Sequence, residues 1–449
     1  MNIKLSTIKK WIDCDINDEY MDSVVIGTCI DSRKLDPSNL FIPFKGEHVD
    51  GHRFVEQSLS NGAGASFWQK DVPNPPEGPL IFVDDTLQAL QNLAKAYLKY
   101  VNPKVVAITG SNGKTTTKDM VECVLRESFK VKKTQGNYNN EIGCPLTILD
   151  LDEDTEVSIL EMGMSGFGEI RELTELAEPD VAIITNIGES HMQDLGSREG
   201  IAEAKFEITE GLQDDGLLIY DGDEPLLKPL VATLRNRSLS IGTQTENDVL
   251  IHTNQTSSTG INFQLNKEQI VYHLNILGEH NVKNATYAIQ VAKHFGVMDD
   301  VIQNALHDLL ITDMRMQQIS TNLYGLFIND AYNASPTSMK AAIDTLDKLQ
   351  KPQKIIVLAD VLELGDISKD MHEQVGYYLK DKDIQTLITF GEEAKHISKI
   401  ADQFIEETLH FDSKKEIVEF LKLNLDSDSV TLFKGSRGMS LETIIEDLT

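Results

Sequence analysis

One short segment restricts the possible folds of this chain more than any other. Val105 to Ile108 is apolar, as expected of a buried strand, and glycines follow at positions 110 and 113. Beyond Gly113 the apolar residues recur with the spacing of one helix face. A strand that turns through glycines into a helix is typical of a mostly parallel sheet covered by helices.

The same alternation of strands and helices indicates three regions. The other predicted strands are Leu80 to Val83, Val157 to Leu160, Val181 to Thr185, Leu217 to Tyr220, Leu326 to Asn329, Lys354 to Ala359, Thr386 to Phe390 and Val430 to Phe433. A chain of 449 residues exceeds what one hydrophobic core usually organises. We predict three α/β domains: a mixed one over residues 1–100, a central P-loop-type, mostly parallel sheet domain over 101–312, and a Rossmann-like one over 313–449.

Charge and composition exclude several classes of protein. The formal net charge of −30 argues against nucleic-acid binding, which needs clustered Lys and Arg residues. Four cysteines without paired spacing argue against a zinc site or a disulfide framework and favour a reducing compartment. No apolar run has the length of a signal peptide or a membrane span. We therefore expect a cytoplasmic protein, most simply a monomer, with no membrane insertion.

The glycine turn has the composition of a phosphate-binding loop. Backbone N–H groups beside glycines can approach phosphate oxygens, the following helix N-terminus adds partial positive charge, and a lysine adds a full one. The predicted nucleotide-binding residues of this loop are Gly110, Ser111, Asn112, Gly113, Lys114, Thr115 and Thr116, with Thr115 as a Mg²⁺ ligand. Ile108 stands where the common pattern has its first glycine, and an ordinary strand-to-helix turn is the alternative.

Two polar residues follow neighbouring strands. Glu161 comes directly after Val157 to Leu160, and His191 comes six residues after the strand that ends at Thr185. Ligands of open α/β sheets gather at the carboxyl ends of the strands, so both side chains are candidate metal ligands beside the loop. A helix cap or ion pair for Glu161, and a structural role for His191, are the alternatives.

Lys205 is unusual because it lies in the apolar stripe of a predicted helix, Ile201 to Leu212. Its neighbours three and four positions away include no carboxylate. Burial lowers the pKa of a lysine, and a neutral amine can add CO₂ to give a carbamate that is able to bind Mg²⁺. A lysine whose ammonium group extends to solvent is the alternative.

Four segments resemble the Mur ligases, in the order found in that family. They are Thr109–Thr116, Leu160–Gly163, Asn186–His191 and Ala204–Glu207. The resemblance implies that Lys205 is a carbamylated lysine and that Glu161 and His191 bind a second magnesium ion, with Lys114, His191 and Lys205 as catalytic residues. Gly278–Asn284 resembles the family segment G-x-H-N-x-x-N, which implies that Asn281 and Asn284 lie near the nucleotide.

The last region carries a further resemblance. Arg315 and the segment Asp330–Pro336 are similar to the family's arginine and its D-x-Y-N-A-N-P segment, which meet ATP. Asp330, Tyr332 and Asn333 are retained, whereas Ser335 replaces the second asparagine.

Asp31–Arg33, Leu40–Phe41 and Asp50–His52 resemble the UDP-sugar-binding domain shared by the MurE and MurF types of this family, and Gln135–Asn140, Asp330–Pro336 and Lys434–Arg437 favour the MurF type. They imply substrate-binding roles for Ser32, Arg33, Asn137, Asn139, Asn140, Lys434, Ser436 and Arg437. The resemblance implies ATP- and Mg²⁺-dependent joining of D-alanyl-D-alanine to UDP-N-acetylmuramoyl-tripeptide through an acyl phosphate. The alternatives are a MurE-like or folylpolyglutamate synthetase-like ligase, or a nucleotide-dependent scaffold without ligase activity. The diamino acid at the third peptide position is left open.

Overall fold

Three larger sheets organise the computed structural model of this chain, which describes residues 1–46, 48–256, 260–266, 269–310 and 312–449. Each sheet lies within one of the three predicted regions. We call them the first, central and last sheets. This arrangement is the predicted α/β class with three mostly parallel sheets.

The first sheet has five short strands. Their order is Asp15–Ile16, Leu80–Val83, Ala65–Gln69, Leu40–Phe41 and Thr28–Cys29. The first pair is antiparallel and the others are parallel. Asn2–Lys4 pairs separately with Val24–Ile26, because Gly27, with φ of 68°, turns the chain between this strand and the next.

The central sheet has nine strands. Their order is Tyr272–Leu274, Ile261–Leu265, Val249–Thr256, Arg237–Gly242, Leu217–Asp221, Val181–Ile184, Lys104–Thr109, Val157–Glu161 and Val131–Lys133. The two pairs formed among Tyr272–Leu274, Ile261–Leu265 and Val249–Thr256 are antiparallel. All the remaining pairs, from Val249–Thr256 to Val131–Lys133, are parallel. The predicted strands of this region are all present, whereas Val131–Lys133 and the strands between residues 237 and 274 were not predicted.

The last sheet has six strands. Their order is Gln317–Thr321, Gly325–Asn329, Ser429–Lys434, Gln353–Ala359, Thr386–Phe390 and Glu407–Phe411. Only the first of these pairs is antiparallel among the described strands.

Helices cover the sheets on both faces. In the first region they are Leu5–Trp11, Val55–Ser60 and Thr86–Val101. The central region has Lys114–Leu125, Gly143–Leu149, Glu169–Ala177, Met192–Leu195, Arg198–Phe206, Leu227–Val231, Glu279–His294 and Asp299–His307. The last region has Pro336–Lys348, Ser368–Tyr378, Lys395–Ala401, Lys414–Asn424 and Glu442–Glu446. The helix predicted over Ile201 to Leu212 differs from the structure: the α-helix ends at Phe206 and a 3₁₀ turn, Glu207–Thr209, follows it.

Alternate residues of the central strands belong to different hydrophobic cores. Val106 and Ile108 face a core shared with the last region, whereas Val105 and Ala107 face one shared with the first region. Side chains that alternate along a strand point to opposite faces of a sheet. The central sheet is therefore buried on both faces, and the carboxyl ends of its strands stay available for a site.

Candidate active site

The glycine turn is held tightly between the central sheet and a helix. Gly110 and Gly113 have φ of 148° and 82°. A Cβ atom on Gly110 would collide with the Thr185 hydroxyl group, and one on Gly113 would lie 2.8 Å from Oδ1 of Asn284. Both positions therefore need glycine. Lys114, the first residue of the following helix, donates from Nζ to the Gly110 carbonyl at 2.7 Å.

Glu161 ends the neighbouring strand and lies directly against this helix start. Its Oε2 accepts a 2.9 Å hydrogen bond from the Thr115 hydroxyl group, and its Oε1 accepts one of 3.0 Å from Nδ2 of Asn139. The ammonium group of Lys118 lies 3.7 Å from Oε2. Glu161 is 3% exposed, so Lys118 supplies the positive charge that this buried carboxylate needs. Glu161 therefore forms the ion pair that was the alternative expectation, and it also contacts the loop through Thr115.

Lys205 is 2% exposed on its helix. Among the described residues its ammonium group makes no hydrogen bond and no ion pair. Burial lowers the pKa of Lys205 well below the ordinary lysine value, and the positive charge of Lys114 lowers it further. The alternative of an ammonium group extended to solvent is therefore wrong.

His191 lies in the same cavity as Lys205. Its backbone is left-handed, with φ of 63°, and it begins the short helix Met192–Leu195. Burial lowers the pKa of His191, the charges of Lys205 and Lys114 lower it further, and the charge of Glu363 opposes them. A neutral imidazole is the form that binds a metal ion.

Two adjoining cavities surround these residues. The loop cavity has a volume of about 610 Å³, and the lysine cavity one of about 730 Å³. Lys114, Asn137 and Asn139 line both. The loop cavity adds Ser111, Asn112, Gly113, Thr115, Thr116, Glu161, Asn281, Asn284, Arg315, Asp330, Tyr332, Asn333 and Lys434. The lysine cavity adds Asn140, His191 and Lys205. Glu161 thus lies in the loop cavity, and His191 and Lys205 lie in the adjoining lysine cavity. Lys114 of the loop borders both cavities.

Side chains of the last region close the loop cavity from the opposite side. Arg315 donates from Nη2 to the Thr115 hydroxyl oxygen at 2.9 Å, and its guanidinium carbon lies 4.2 Å from the centre of the Tyr332 ring. Asp330 is held by Lys434, whose ammonium group lies 2.6 Å from Oδ2. Ser335 donates to Oδ1 of Asn112 at 3.0 Å.

Two side-chain amides of helix Glu279–His294 are buried beside the loop and do not reach solvent. Asn281 donates to the Leu277 carbonyl at 2.7 Å, and Asn284 donates to Oδ1 of Asn281 at 3.2 Å. Because both asparagines are buried and line the loop cavity, they fix the shape of its wall.

Four of the predicted substrate-binding residues lie elsewhere. In the described part of the chain, neither cavity is lined by Ser32, Arg33, Ser436 or Arg437. The Arg33 guanidinium group pairs with Asp31 at 2.8 Å, and that of Arg437 pairs with Glu442 at 2.5 Å. The Ser436 hydroxyl oxygen accepts the Leu362 N–H at 2.9 Å.

Several residues at the site were missed from the sequence. Asp221 and Asp223 line the loop cavity, and Lys283 bridges them at 2.7 and 3.2 Å. Asp221 ends a strand of the central sheet, so the criterion that identified Glu161 would have found it. Lys118 follows Lys114 by one helical turn, and that spacing was the available signal for it.

The donor chemistry suits a hard cation. The hydroxyl oxygen of Thr115 and the carboxylate oxygens of Glu161 meet at the loop, and such oxygens are the ligands that Mg²⁺ prefers. Within the described ranges no group of three or more His, Cys, Asp or Glu side chains is arranged as a metal site. Among the same residues, no helix is both long and apolar enough to cross a bilayer.

Three family models match successive parts of the chain. They are described as the Mur ligase family catalytic domain over residues 25–98, the Mur ligase middle domain over 108–292, and the Mur ligase glutamate ligase domain over 314–437.

Whole-chain relatives agree with these matches. A UDP-N-acetylmuramoyl-tripeptide–D-alanyl-D-alanine ligase of Bacillus subtilis is 48% identical over 96% of this chain and 95% of its own length. A crystal structure of MurF from Acinetobacter baumannii superposes with a TM-score of 0.90 at 29% identity, over 100% of this chain and 99% of that one. MurF from Thermotoga maritima in complex with ADP gives 0.85 at 28% identity, over 94% and 96%. The resemblance inferred from the sequence is confirmed, and this chain belongs to the Mur ligase family, with relatives of the MurF type.

Proposed function

We propose that this chain is an ATP-dependent amide ligase that joins D-alanyl-D-alanine to the peptide carboxylate of UDP-N-acetylmuramoyl-tripeptide, releasing ADP and phosphate. One observation carries the proposal: Thr115 of the loop and Arg315 of the last region meet at 2.9 Å across a cavity that also contains Lys114 and Glu161. The relatives' names supply the substrates, and the cavity supplies the chemistry.

ATP occupies the loop cavity in this proposal. Its phosphates lie against the N–H groups of residues 110–116 and the Lys114 ammonium group, which together provide the positive charge that a helix start offers to anions. Asn281, Asn284, Asp330, Tyr332 and Asn333 line the rest of the nucleotide site. Arg315 adds a second cation from the last region.

The residues fit magnesium. Thr115 would hold one ion beside the phosphates, and Glu161 and His191 would hold a second, with Lys205 as a further metal-binding group. Because Lys205 is buried without a partner and has a lowered pKa, its neutral amine can add CO₂ and release a proton, giving a carbamate with two oxygen ligands. Bound magnesium would supply charge neutralisation around the triphosphate.

The reaction has two steps. The peptide carboxylate attacks the γ-phosphate, which gives an acyl phosphate and ADP, and the amine of the dipeptide then attacks the acyl carbon and releases phosphate. A carboxylate approaches a polyanion only when the charge between them is neutralised, so Lys114 and Arg315 act in the first step. Exclusion of water protects the acyl phosphate in the second.

The three regions divide the work in this proposal, with domain boundaries after residues 100 and 312. The first region binds the UDP-sugar through Ser32 and Arg33, and Asn137, Asn139 and Asn140 guide the peptide toward the loop. The last region closes over ATP and receives the incoming amine with Lys434, Ser436 and Arg437. The protein acts as a monomer in the cytoplasm, where its small-molecule substrates are found.

The test is substrate-dependent ADP release by the purified full-length chain. We expect ADP to form at a substantial rate only when ATP, UDP-N-acetylmuramoyl-tripeptide and D-alanyl-D-alanine are all present, with one phosphate released for each amide bond formed. Two further assays test the alternative ligases. In one a single amino acid replaces D-alanyl-D-alanine as the acceptor, and in the other a folate replaces UDP-N-acetylmuramoyl-tripeptide as the donor. ADP release that is independent of the dipeptide would contradict the proposal and favour a nucleotide-dependent scaffold.

A further inference from the structure

The lysine cavity has one wall residue from the last region. Among the described residues that line it, Glu363 alone belongs to that region, and the others lie between residues 114 and 205. Lys114, His191 and Lys205 are on the central side. Glu363 therefore reaches the cavity only because the last region is packed against the central one.

The loop that carries Glu363 is held by hydrogen bonds at each preceding residue. Oδ1 of Asp360 accepts the N–H groups of Glu393 and Ala394 at 3.1 and 2.7 Å. The Val361 N–H donates to Nε2 of buried His372 at 3.0 Å, and the Leu362 N–H donates to the Ser436 hydroxyl oxygen at 2.9 Å. These bonds fix the backbone immediately before Glu363.

The backbone of Glu363 itself is unusual. Its φ is 68°, a left-handed value that is uncommon for a residue with a side chain. Gly365 then passes so close to the central region that a Cβ atom there would lie 3.2 Å from Oε1 of Gln193. Two independent features, the fixed loop and the close approach, thus aim one side chain at the space beside His191.

The Glu363 carboxylate is unpaired in the described structure: no hydrogen bond or ion pair of this side chain occurs, although Lys114 and Lys205 line the same cavity. A carboxylate on this wall repels the phosphates and the peptide carboxylate, so it serves neither of those anions. The cations that it can meet there are a magnesium ion held by His191 and Lys205 and the cationic group of the substrate that the last region receives. An α-amino group, with a pKa of about 7.7–8.0, is largely an ammonium ion at neutral pH.

We propose that Glu363 binds the ammonium group of the incoming amine and holds its nitrogen beside the peptide carboxyl group, where loss of one proton to solvent gives the neutral amine that attacks. This inference rests on the proposed ligase function and adds to it the residue that receives the amine. Glu363 provides charge and direction, and the Ser436 hydroxyl group also holds the backbone before it.

The experiment measures initial rates of ADP release by the full-length protein, varying each substrate while the other two are saturating. Glu363→Gln removes the charge at nearly constant volume, and Glu363→Asp keeps the charge on a shorter side chain. We expect Glu363→Gln to raise KM for D-alanyl-D-alanine by about tenfold to a hundredfold, with KM for ATP unchanged. Glu363→Asp should recover part of that loss.

Asp366→Asn is the matched control, because Asp366 is, like Glu363, an exposed carboxylate, lies in the 3₁₀ turn Gly365–Ile367 that follows, and lines neither cavity. It should behave as wild type. An unchanged KM for the dipeptide in Glu363→Gln would overturn the inference. So would a selective rise in KM for UDP-N-acetylmuramoyl-tripeptide, since the carboxylate would then bind the side-chain ammonium group of its third residue. A wild-type protein without dipeptide-dependent turnover would instead contradict the ligase function itself.

Discussion

Ser335 and Asn112 are joined by a 3.0 Å hydrogen bond although they are 223 positions apart in the chain. The Ser335 hydroxyl group donates to Oδ1 of Asn112, and its oxygen accepts the N–H of Ser338 at 3.2 Å. Ser335 therefore caps the helix Pro336–Lys348 and at the same time contacts the glycine turn. The serine that departs from the family pattern therefore makes one of the contacts between the central and last regions.

Replacing Ser335 should affect both stability and nucleotide binding. Ser335→Ala removes the helix cap, which costs about 0.5–2 kcal/mol of stability. It also releases the Asn112 amide, so KM for ATP should rise several-fold. Thermal unfolding and the ATP dependence of ADP release measure the two effects.

Ser413→Ala is the matched control, because Ser413 caps the helix Lys414–Asn424 by accepting the Lys415 N–H at 3.3 Å, away from the turn. It should lose stability and keep the wild-type KM for ATP. An equal change in KM for the two variants would mean that the Ser335–Asn112 bond has no role in nucleotide binding.

Lys114→Ala should abolish turnover. The ammonium group of Lys114 lines both cavities, and its loss leaves the phosphates without their nearest cation, a change that corresponds to a rate loss of at least about a thousandfold. ADP release is the measurement. Lys95→Ala, which removes a surface ion pair with Glu178, is the control and should be fully active. Normal activity of Lys114→Ala would refute the phosphate-loop assignment.

Lys205→Ala tests the carbamate. We expect activity to be lost and then partly restored by a short-chain carboxylic acid, because the added carboxylate can occupy the space of the missing carbamate. Lys118→Ala removes a buried lysine whose ammonium group lies 3.7 Å from Glu161, and the same acid should not rescue it. An unimpaired Lys205→Ala variant, or equal rescue of both variants, would reject the carbamate.

Asp223 should make the free energy of unfolding depend on pH in the acid range. Burial by itself would raise its pKa, but hydrogen bonds from the N–H groups of Thr243 and Gln244, together with Lys283, outweigh burial and lower the pKa to about 2. The folded-state pKa lies below the unfolded value, so this stabilisation is present at neutral pH and is lost as the pH falls below about 4 toward about 2.

Urea unfolding between pH 7 and pH 2 measures this contribution. Asp223→Asn should flatten the acid limb of the stability curve, whereas Asp13→Asn, at an exposed position, should leave it unchanged. Identical pH dependence in wild type and Asp223→Asn would show that Asp223 does not carry the effect.

The sequence alone determined the fold class and the centre of the site. Apolar strands that alternate with helices must form a covered parallel sheet, and residues after parallel strands must gather at one edge. The loop and Glu161 were therefore predictable, and Glu161 lies beside Ile108 in register. The order of the motifs also identified the family from the sequence, because each motif is a continuous, local stretch of the chain.

Tertiary structure alone decided how the regions meet. Contacts such as Ser335 with Asn112 and Arg315 with Thr115 join residues that are remote in sequence, and no local pattern specifies their distance. The antiparallel strands after residue 249 and the early end of the Lys205 helix were also set by packing, which overrides local propensity. Burial of Lys205 and the aim of Glu363 depend on several packed elements at once, so only the folded chain fixes them.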